Sequence, residues 1–438
     1  MYVNRIVISN VRIIDYLVID FKSPYKGWHV ILGDNGSGKS TLIRSVALAL
    51  IGPNDAIALR TNWKDWLGRD GRQTYIRLDI FKHDEFDKYS GKSAPMKKYL
   101  VPNFIGFEKD HENGLINITH NHNSKGPSGK LINAARYNWG KGSGWFSAAY
   151  GPFRRFTGGN SDWNKIFYSS PKVGAHLSVF GEDIALTEAI EWLKELDYKR
   201  LKEKEFSNEL SEAESIFQSI KHFINNSELL PHEASFEKVE DVPIFKDGEG
   251  NLIPVTQLSD GYRSILSLTF ELIRQLINTY GQSIVFKDIF KTNEINVPGV
   301  VLIDEIDAHL HPSWQTKIGN WFTKHFPLLQ FIVTTHSPLI CRASEKGSIW
   351  RLKSPGSDFK SGEVKGTEKE KLIFGNILDA YGTEIFGKSA VRSEKSNEKL
   401  ERLGKLNILA ALGKIKPEEE KERLELQKIL GTDDPTNT

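Results

Sequence analysis

The sequence predicts a mixed α/β fold, in which buried strands alternate with helices. The apolar run "WHVILG", 28–33, leads through further glycines into the helical pattern "KSTLIRSVALALI". Two more apolar runs, "VVLI" at 300–303 and "LQFIVTT" at 329–335, have the length of buried strands, and polar residues follow each of them. Strand, loop and helix in this order are typical of a sheet covered by helices.

The other elements follow from periodicity and from turn residues. Alternating side chains predict strands, apolar side chains at helical spacing predict helices, and "DGEGN" predicts a tight turn. We expect strands at 2–21, 72–82 and 234–257, and helices at 183–227, at roughly 260–280, from Pro312 onward and twice in the charged last 45 residues.

Composition limits the class of protein. The chain has 438 residues with 39% hydrophobic and 26% charged residues, which is enough for a sizeable core and two to three domains. The net charge of +2 gives no overall polyanion signal, so a nucleic-acid surface must be local. The single cysteine, Cys341, excludes an intramolecular disulfide and a cysteine-based zinc finger, and it fits the cytosol. Polar residues interrupt residues 1–21, so we expect no signal peptide, no membrane span and a cytoplasmic location.

The stretch "GDNGSGKS" matches the pattern G-x-x-x-x-G-K-[ST] between a predicted strand and a predicted helix. Glycines let backbone N–H groups wrap phosphates, Lys39 reaches the β- and γ-phosphates of ATP, and the Ser40 hydroxyl is a Mg²⁺ ligand. The alternative is a glycine-rich turn before a helix. The candidate ATP-binding residues are Gly33, Asp34, Asn35, Gly36, Ser37, Gly38, Lys39, Ser40 and Thr41.

The strand 300–303 ends in Asp304 and Glu305. After a P-loop, this pattern predicts that Asp304 holds Mg²⁺ through water and that Glu305 orients and polarises the attacking water. Adjacent side chains on a strand point in opposite directions, so one acid can face the metal and the other the nucleophile. Taken alone, an apolar run that ends in two acids is a weak signal.

Two further motifs come in a fixed order along the chain. "LSDGYRS", 258–264, precedes the acidic strand, and its Ser259 and Gly261 lie at a predicted helix N-terminus that can bind an anion. His336 in "VTTHSP" follows the strand after it. The alternatives are a serine helix cap and an ordinary surface histidine.

Together the four motifs resemble ABC-type ATPases of the SMC/RecF/OLD-like branch, at 1–53 and 250–352. The resemblance implies an ABC-type P-loop NTPase head, ATP and Mg²⁺ as cofactors, and catalytic roles for Lys39, Glu305 and His336. It implies that "LSDGYRS", which departs from "LSGGQ" at Asp260 and Tyr262, binds the γ-phosphate held by another copy. The contacts would come from Ser259, Asp260 and Gly261, and the chain would form a homodimer or higher homo-oligomer.

The stretches "AAYGPFRRFTGG" and "HLSVFGEDIALTEAIEWLKEL" and the charged end of the chain resemble ATPase subunits of Septu-type antiphage defence systems. That resemblance implies a separate HNH-type nuclease as partner. The tripeptide "HNH" at 120–122 is not such a nuclease, and we recognise no nuclease site in the chain. The alternatives are a DNA-repair ATPase of the RecF/SMC type and a nucleotide-clamped scaffold with little turnover.

These observations predict four segments. They are the first part of the ATPase head (1–53), an accessory β lobe with a helical insertion (54–250), the second part of the head (251–392), and short C-terminal helices with a tail that are suited to partner docking (393–438).

Several candidates have competing interpretations. Asp307, His309 and His311 are spaced for a metal site, but the resemblance favours an inter-subunit loop with Asp307 reaching another copy. Residues 113–161 contain six basic residues, seven aromatic residues and no acidic one, which suits DNA or RNA contact or an ordinary lobe. Weaker candidates are Gln73 for a Q-loop, Arg12 for a phosphate contact, and Arg154 and Arg155 for an approach to ATP.

Overall fold

The computed structural model describes most of the chain. It describes residues 1–60, 62–68, 73–90, 100–110, 114–119, 134, 137–140, 142–152, 170–181, 187–206, 211–230, 233–357, 359–376 and 394–430. The chain divides into two compact units, Met1–Ile373 and Phe374–Thr438.

Strands and helices are labelled in chain order. The strands are β1 (Tyr2–Val11), β2 (Ile14–Asp20), β3 (Gly27–Leu32), β4 (Tyr75–Phe81), β5 (Val101–Lys109), β6 (Ile116–Thr119), β7 (Ser147–Tyr150), β8 (Ser235–Val239), β9 (Pro243–Lys246), β10 (Leu252–Pro254), β11 (Gly299–Ile303), β12 (Leu329–Thr335), β13 (Ser348–Arg351) and β14 (Gly362–Val364). The longer helices are α1 (Lys39–Ile51), α2 (Thr187–Phe206), α3 (Glu212–Asn226), α4 (Asp260–Tyr280), α5 (Ile318–His325), α6 (Gly366–Phe374), α7 (Glu394–Ala411) and α8 (Pro417–Leu430). Short helical turns lie at Pro53–Ala56, Lys64–Trp66, Pro171–Gly174, Leu177–Val179, Val255–Gln257, Gln282–Val285, Ile289–Thr292, Pro312–Gln315 and Pro338–Lys346.

The main sheet has the order β14-β13-β3-β12-β11-β7 within the described residues. Its strands from β13 to β7 are parallel, and β14 is antiparallel at the edge. Strand β12 lies between β3, which leads into the P-loop, and β11, which leads into the two acids. Because the carboxyl ends of parallel strands meet at one edge, the segments after β3, β12 and β11 are brought together there.

Helix α1 lies between two sheets and is buried on nearly all sides. Its Leu42 and Val46 belong to one core that also contains Ile332 of β12 and Ile8 of β1. A helix that is apolar all round is stable only inside such a core. The helix that starts at the P-loop lysine is therefore held in place by both sheets.

The second sheet is antiparallel and has the order β2-β1-β4-β5-β6. Asn103 of β5 donates a hydrogen bond to the carbonyl of Ala49 across 2.9 Å, and Trp139 donates to the same oxygen across 2.9 Å. These two bonds satisfy a carbonyl in the last turn of α1, so they attach the β lobe to the end of the P-loop helix.

A small antiparallel sheet, β10-β9-β8, packs with α2, α3 and α4. Helix α3 buries an apolar stripe and begins at Ser211, whose side chain accepts a hydrogen bond from the backbone N–H of Glu214. Phe223 of this stripe packs edge-on against Trp321 and Phe326. These contacts attach the helical insertion to the region around α5.

The second unit contains α7 and α8. Leu403, Leu406 and Leu426 form its buried core, and Arg402 pairs with Glu422 across 2.7 Å at its surface.

Nothing in the described residues is long and apolar enough to cross a membrane as a helix.

The predicted ABC-type P-loop fold is confirmed, and the expected strands and helices around the four motifs are present. One expectation was wrong in part. Residues 113–161 read as loop-rich, yet they contain β6 and β7, and β7 pairs in parallel with β11 in the main sheet. The four predicted segment limits stay predictions.

Candidate functional site

The P-loop, residues 33–41, connects β3 to α1. Gly36 and Gly38 have φ values of 76° and 95°, which glycine adopts without steric cost. A side chain at Gly33 would place its Cβ 2.4 Å from Ser37 Oγ. The loop is therefore tightly wound, and its sequence is fixed by backbone geometry as well as by chemistry.

Lys39 lies at the start of α1 and is almost fully buried. Its ammonium donates hydrogen bonds to the carbonyls of Gly33 across 2.7 Å and Asp34 across 3.0 Å. Burial holds the pKa of Lys39 below its ordinary value, and the nearby carboxylates of Glu305 and Asp304 oppose that shift. The P-loop lysine and the two acids after β11 therefore share one electrostatic environment.

The two acids follow the fully buried strand β11. Asp304 is 2% exposed, and its N–H donates to the carbonyl of Tyr150 across 2.8 Å. Glu305 is partly exposed and has a φ of 47°, in the left-handed region that non-glycine residues rarely adopt. Such strain is common at functional sites, where surrounding contacts hold it.

Thr334 near the end of β12 holds both acidic residues. Its hydroxyl donates to Asp304 Oδ1 across 2.5 Å and accepts from the N–H of Glu305 across 2.8 Å. Its carbonyl accepts from the N–H of Ile306 across 3.0 Å. Sequence reasoning missed this residue, and its only signal was the pair of threonines before His336.

His336 lies next to the P-loop in the sheet. Thr335 pairs with Leu32 in the parallel register of β12 and β3, so His336 and Gly33 follow at the same level. His336 is partly exposed. The structure thus brings the P-loop, the two acids and His336 to one edge of the main sheet.

The signature segment is positioned by other contacts. Ser259 is exposed at the N-cap of α4, and its side chain makes no capping hydrogen bond within the part of the chain described. The Asp260 carboxylate pairs with the Arg263 guanidinium. A Cβ at Gly261 would lie 2.8 Å from the carbonyl of His309, so glycine permits the loop after β11 to approach α4 closely.

The two histidines after the acids have structural roles. His309 has a φ of 66° in a tight turn. His311 caps the turn Pro312–Gln315, because its Nδ1 accepts a hydrogen bond from the N–H of Ser313. Among the described residues there is no group of three or more His, Cys, Asp or Glu side chains placed to hold a metal. The metal-site interpretation of Asp307, His309 and His311 gains no support.

The weaker candidates lie as follows. Arg12 pairs with Asp65 across 2.5 Å and lies over the ring of Trp66, so its guanidinium is already engaged. Gln73 is exposed two residues before the start of β4. Arg154 and Arg155 lie outside the described residues.

Most aromatic side chains of 113–161 in the described part of the chain belong to the packed interior. Trp145, Phe146 and Tyr150 are at most 4% exposed, and Tyr137 and Trp139 pack against the core. Phe153, Phe156 and all six basic residues lie outside the described residues. The aromatic side chains that can be located are therefore unsuited to stacking on bases.

A cleft of about 390 Å³ adjoins the P-loop on the side of β2. Gly36 and Ser37 line it together with Tyr16, Leu352 and Pro355. Tyr16 is 62% exposed, which is high for an aromatic side chain in a cleft. Sequence reasoning gave no role to Tyr16.

The family model described as "AAA domain, putative AbiEii toxin, Type IV TA system" matches residues 94–342, more than half of the chain. The chain belongs to this family. The matched residues include the signature, the two acids and His336, and the P-loop lies before them.

Two curated relatives are similar over most of this chain. The Septu protein PtuA of Bacillus mycoides (strain KBAB4) is 25% identical over 361 residues, which cover 80% of this chain and 40% of that protein. The "Retron Vc95 probable ATPase" of Vibrio cholerae serotype O1 biovar El Tor is 24% identical over 384 residues, which cover 77% of this chain and 71% of that protein. The match therefore spans only about two fifths of the length of the Septu relative. The predicted resemblance to Septu ATPases is confirmed by this similarity.

Among solved structures, the SMC head bound to the C-winged helix domain of ScpA is similar to this chain. It is 15% identical and has a TM-score of 0.47, covering 85% of this chain and 100% of that one. The fold assignment rests on the sheet order and the P-loop described above.

Proposed function

We propose that the chain is a Mg²⁺-dependent ATPase that dimerises through composite ATP sites and regulates a partner nuclease in antiphage defence. The observation that carries the ATPase part is the convergence of Lys39 with Asp304 and Glu305 at one edge of the main sheet. A P-loop lysine facing an acid pair is the arrangement that phosphoryl transfer requires.

The residues present fit ATP and Mg²⁺. The P-loop is wound on left-handed glycines, and the buried Ser37 Oγ has no hydrogen-bond partner among the described residues. Asp304 and Ser40 would hold the ion, which would neutralise phosphate charge when bound. Mg²⁺ at such sites takes most of its ligands from phosphates and water, so a cage of protein ligands is not required.

Lys39, Glu305 and His336 would each have a separate role in hydrolysis. The Lys39 ammonium would exchange its bonds to the Gly33 and Asp34 carbonyls for bonds to phosphate oxygens. Glu305 would accept a proton from the attacking water and orient it. His336, level with Gly33 in the sheet, would donate a hydrogen bond to the γ-phosphate.

The dimer proposal is supported by the signature segment. Ser259 is exposed at the N-terminus of the long helix α4, where the helix dipole favours an anion. Asp307 Oδ1 is buried and has no hydrogen-bond partner in the described ranges, which suits a contact with a second copy. One chain offers one P-loop and one signature, so two copies facing head to tail would form two ATP sites.

The defence role is supported by the relatives, which are a Septu protein and a retron ATPase. We propose a separate HNH-type nuclease as partner, with the hairpin of α7 and α8 as a docking element. Exposed apolar side chains on these helices, such as Ile408 at 62% and Ile429 at 64%, suit such a contact.

Nucleic-acid contact through 113–161 is a further part of the proposal. The support is the basic sequence alone, with Lys125, Lys130 and Arg136 among residues outside the described ranges. Because the aromatic side chains of this segment in the described part of the chain are packed in the core, the proposed contact is between cationic side chains and the phosphate backbone of the nucleic acid.

The nucleoside of ATP would lie in the cleft beside the P-loop. Because Gly36 and Ser37 line this cleft, it lies within reach of a phosphate chain, and the exposed Tyr16 offers a face for stacking on the base.

The experiment for the ATPase proposal is phosphate release by the purified chain with ATP and Mg²⁺. The wild type should release phosphate, and Lys39→Ala should lose both turnover and tight ATP binding. Equal turnover in Lys39→Ala and wild type, or no ATP binding by wild type, would contradict the proposal.

A further inference from the structure

The hydroxyl of Thr334 is the meeting point of the two acidic residues after β11. Thr334 is fully buried on β12, one residue beyond the pairing of Val333 with Ile303. On its other side it pairs with Ile31 of β3, the strand that leads into the P-loop. Thr334 is therefore enclosed between β11, which leads to the two acids, and β3, which leads to the P-loop.

A hydroxyl has one proton to donate and two lone pairs to accept. Thr334 donates its proton to Asp304 Oδ1 and accepts the backbone N–H of Glu305. The bond to the carboxylate is charge-assisted, and such bonds are stronger than neutral ones. One side chain therefore fixes a carboxylate and the neighbouring peptide at the same time.

These two bonds act on different parts of the site. The first sets the orientation of the Asp304 carboxylate, because one of its oxygens is held. The second holds the peptide of Glu305 while that residue has a φ of 47°, a conformation that needs support from its surroundings. Without the hydroxyl, the Asp304 carboxylate loses the hydrogen bond to its Oδ1, and the Glu305 peptide loses a bond that supports its left-handed backbone angles.

We infer that Thr334 is a positioning residue of the ATP site, which orients Asp304 toward the metal and Glu305 toward the attacking water. This inference rests on the proposed ATPase function. Thr334 is fully buried and acts on the site through the two acids. Because β12 ends at Thr335, one residue before His336, the same strand leads to His336 and holds the two acids through Thr334.

The test compares Thr334→Val, which keeps the shape and removes the hydroxyl, with Thr334→Ser, which keeps the hydroxyl. Thr269→Val is the matched control, since Thr269 is equally buried and its hydroxyl donates to the carbonyl of Ile265 in its own helix, its one partner among the described residues. Two quantities are measured: the Mg²⁺ dependence of ATP turnover, and the binding of a fluorescent ATP analogue with and without Mg²⁺.

Thr334→Val should bind the analogue normally without Mg²⁺, need about tenfold more Mg²⁺ for the half-maximal effect on binding, and lose about tenfold or more in turnover. Thr334→Ser should stay within about threefold of wild type in both Mg²⁺ dependence and turnover. Thr269→Val should match the wild type in both quantities. Wild-type Mg²⁺ dependence in a folded Thr334→Val, or a Thr334→Ser as impaired as Thr334→Val, would overturn the inference.

A wild type without Mg²⁺-dependent ATP binding or turnover would instead reject the proposed function, so the two failures are distinguishable. If Thr334→Val does not fold, as judged by circular dichroism and melting, Thr334→Cys takes its place, because a thiol is a weak donor. It should be impaired relative to Thr334→Ser, and equal Mg²⁺ dependence of the two variants would overturn the inference.

Discussion

The indole Nε1 of Trp314 donates a hydrogen bond to the hydroxyl of Tyr262 across 2.9 Å, and the two rings pack edge to face with centroids 5.7 Å apart. Tyr262 belongs to the signature segment, and Trp314 lies in the turn that follows the acidic strand. The signature helix is thus fixed to the segment that follows the two acids at the end of β11.

Tyr262→Phe should reduce ATP turnover about threefold to tenfold, because it removes the bond that holds the signature helix to Trp314. ATP binding to the single chain should not change, since Tyr262 is not in the P-loop. Trp314→Phe should have a similar effect, and the double variant should be no worse than either single one. Tyr198→Phe is the control, because Tyr198 is exposed, and it should leave turnover unchanged. Additive losses would show that the two side chains act independently.

Glu305→Gln should bind ATP and hydrolyse it about 100-fold or more slowly, because the amide cannot accept the proton of the attacking water. The ATP-bound dimer should accumulate, which light scattering after size-exclusion chromatography measures. Glu249→Gln, in the exposed turn between β9 and β10, is the control and should behave as wild type. Wild-type turnover in Glu305→Gln would remove Glu305 from its assigned role.

Tyr16→Ala should raise the dissociation constant for ATP about tenfold, since stacking of a base on an aromatic side chain contributes about 1–3 kcal/mol. Tyr198→Ala is the matched control, because Tyr198 is 66% exposed and lies on α2. The measurement is a titration with a fluorescent ATP analogue. Unchanged affinity in Tyr16→Ala would place the base elsewhere.

The stability of the fold should fall with acid through His29 and His176. Burial lowers the pKa of each from 6.5 to about 4, so the unfolded chain binds more protons between those values. The free energy of unfolding therefore has its full value above pH 6.5 and decreases as the pH falls. The decrease is about 2 kcal/mol per histidine at pH 5.

Denaturant unfolding at pH 7.5 and pH 5 measures this loss. His29→Gln should show a smaller difference between the two pH values, whatever its absolute stability. The partly exposed His222, replaced by Gln, is the control. A wild type equally stable at both pH values would refute the prediction.

The sequence predicted the strands around the P-loop, the acids and His336, because their motifs carry backbone requirements as well as chemistry. Glycines at 36 and 38 are needed for left-handed turns, and the apolar run of β11 is buried on both faces. The structure brings the P-loop, the two acids and His336 to one edge of the main sheet, and the chemical roles of these residues stay predictions.

Features that depend on distant residues could not be predicted. Tyr262 and Trp314 are 52 positions apart, and a threonine before a histidine gives no sign that its hydroxyl bonds to Asp304, 30 positions earlier. Strand β7 reads "SAAY", which has little strand propensity of its own, and its pairing with β11 decides its structure.

In the proposed dimer, each ATP site combines the P-loop of one copy with the signature of another. The direct test mixes two variants that should each be inactive alone, Lys39→Ala and Ser259→Arg, and measures ATP turnover of the mixture. Ser283→Arg, at an exposed serine away from the signature, is the control for the added charge and should be active. A mixed dimer retains one site with an intact P-loop and an intact signature, so turnover should return to as much as about a quarter of wild type. A mixture that stays inactive, or a Ser259→Arg that is fully active alone, would contradict the composite site.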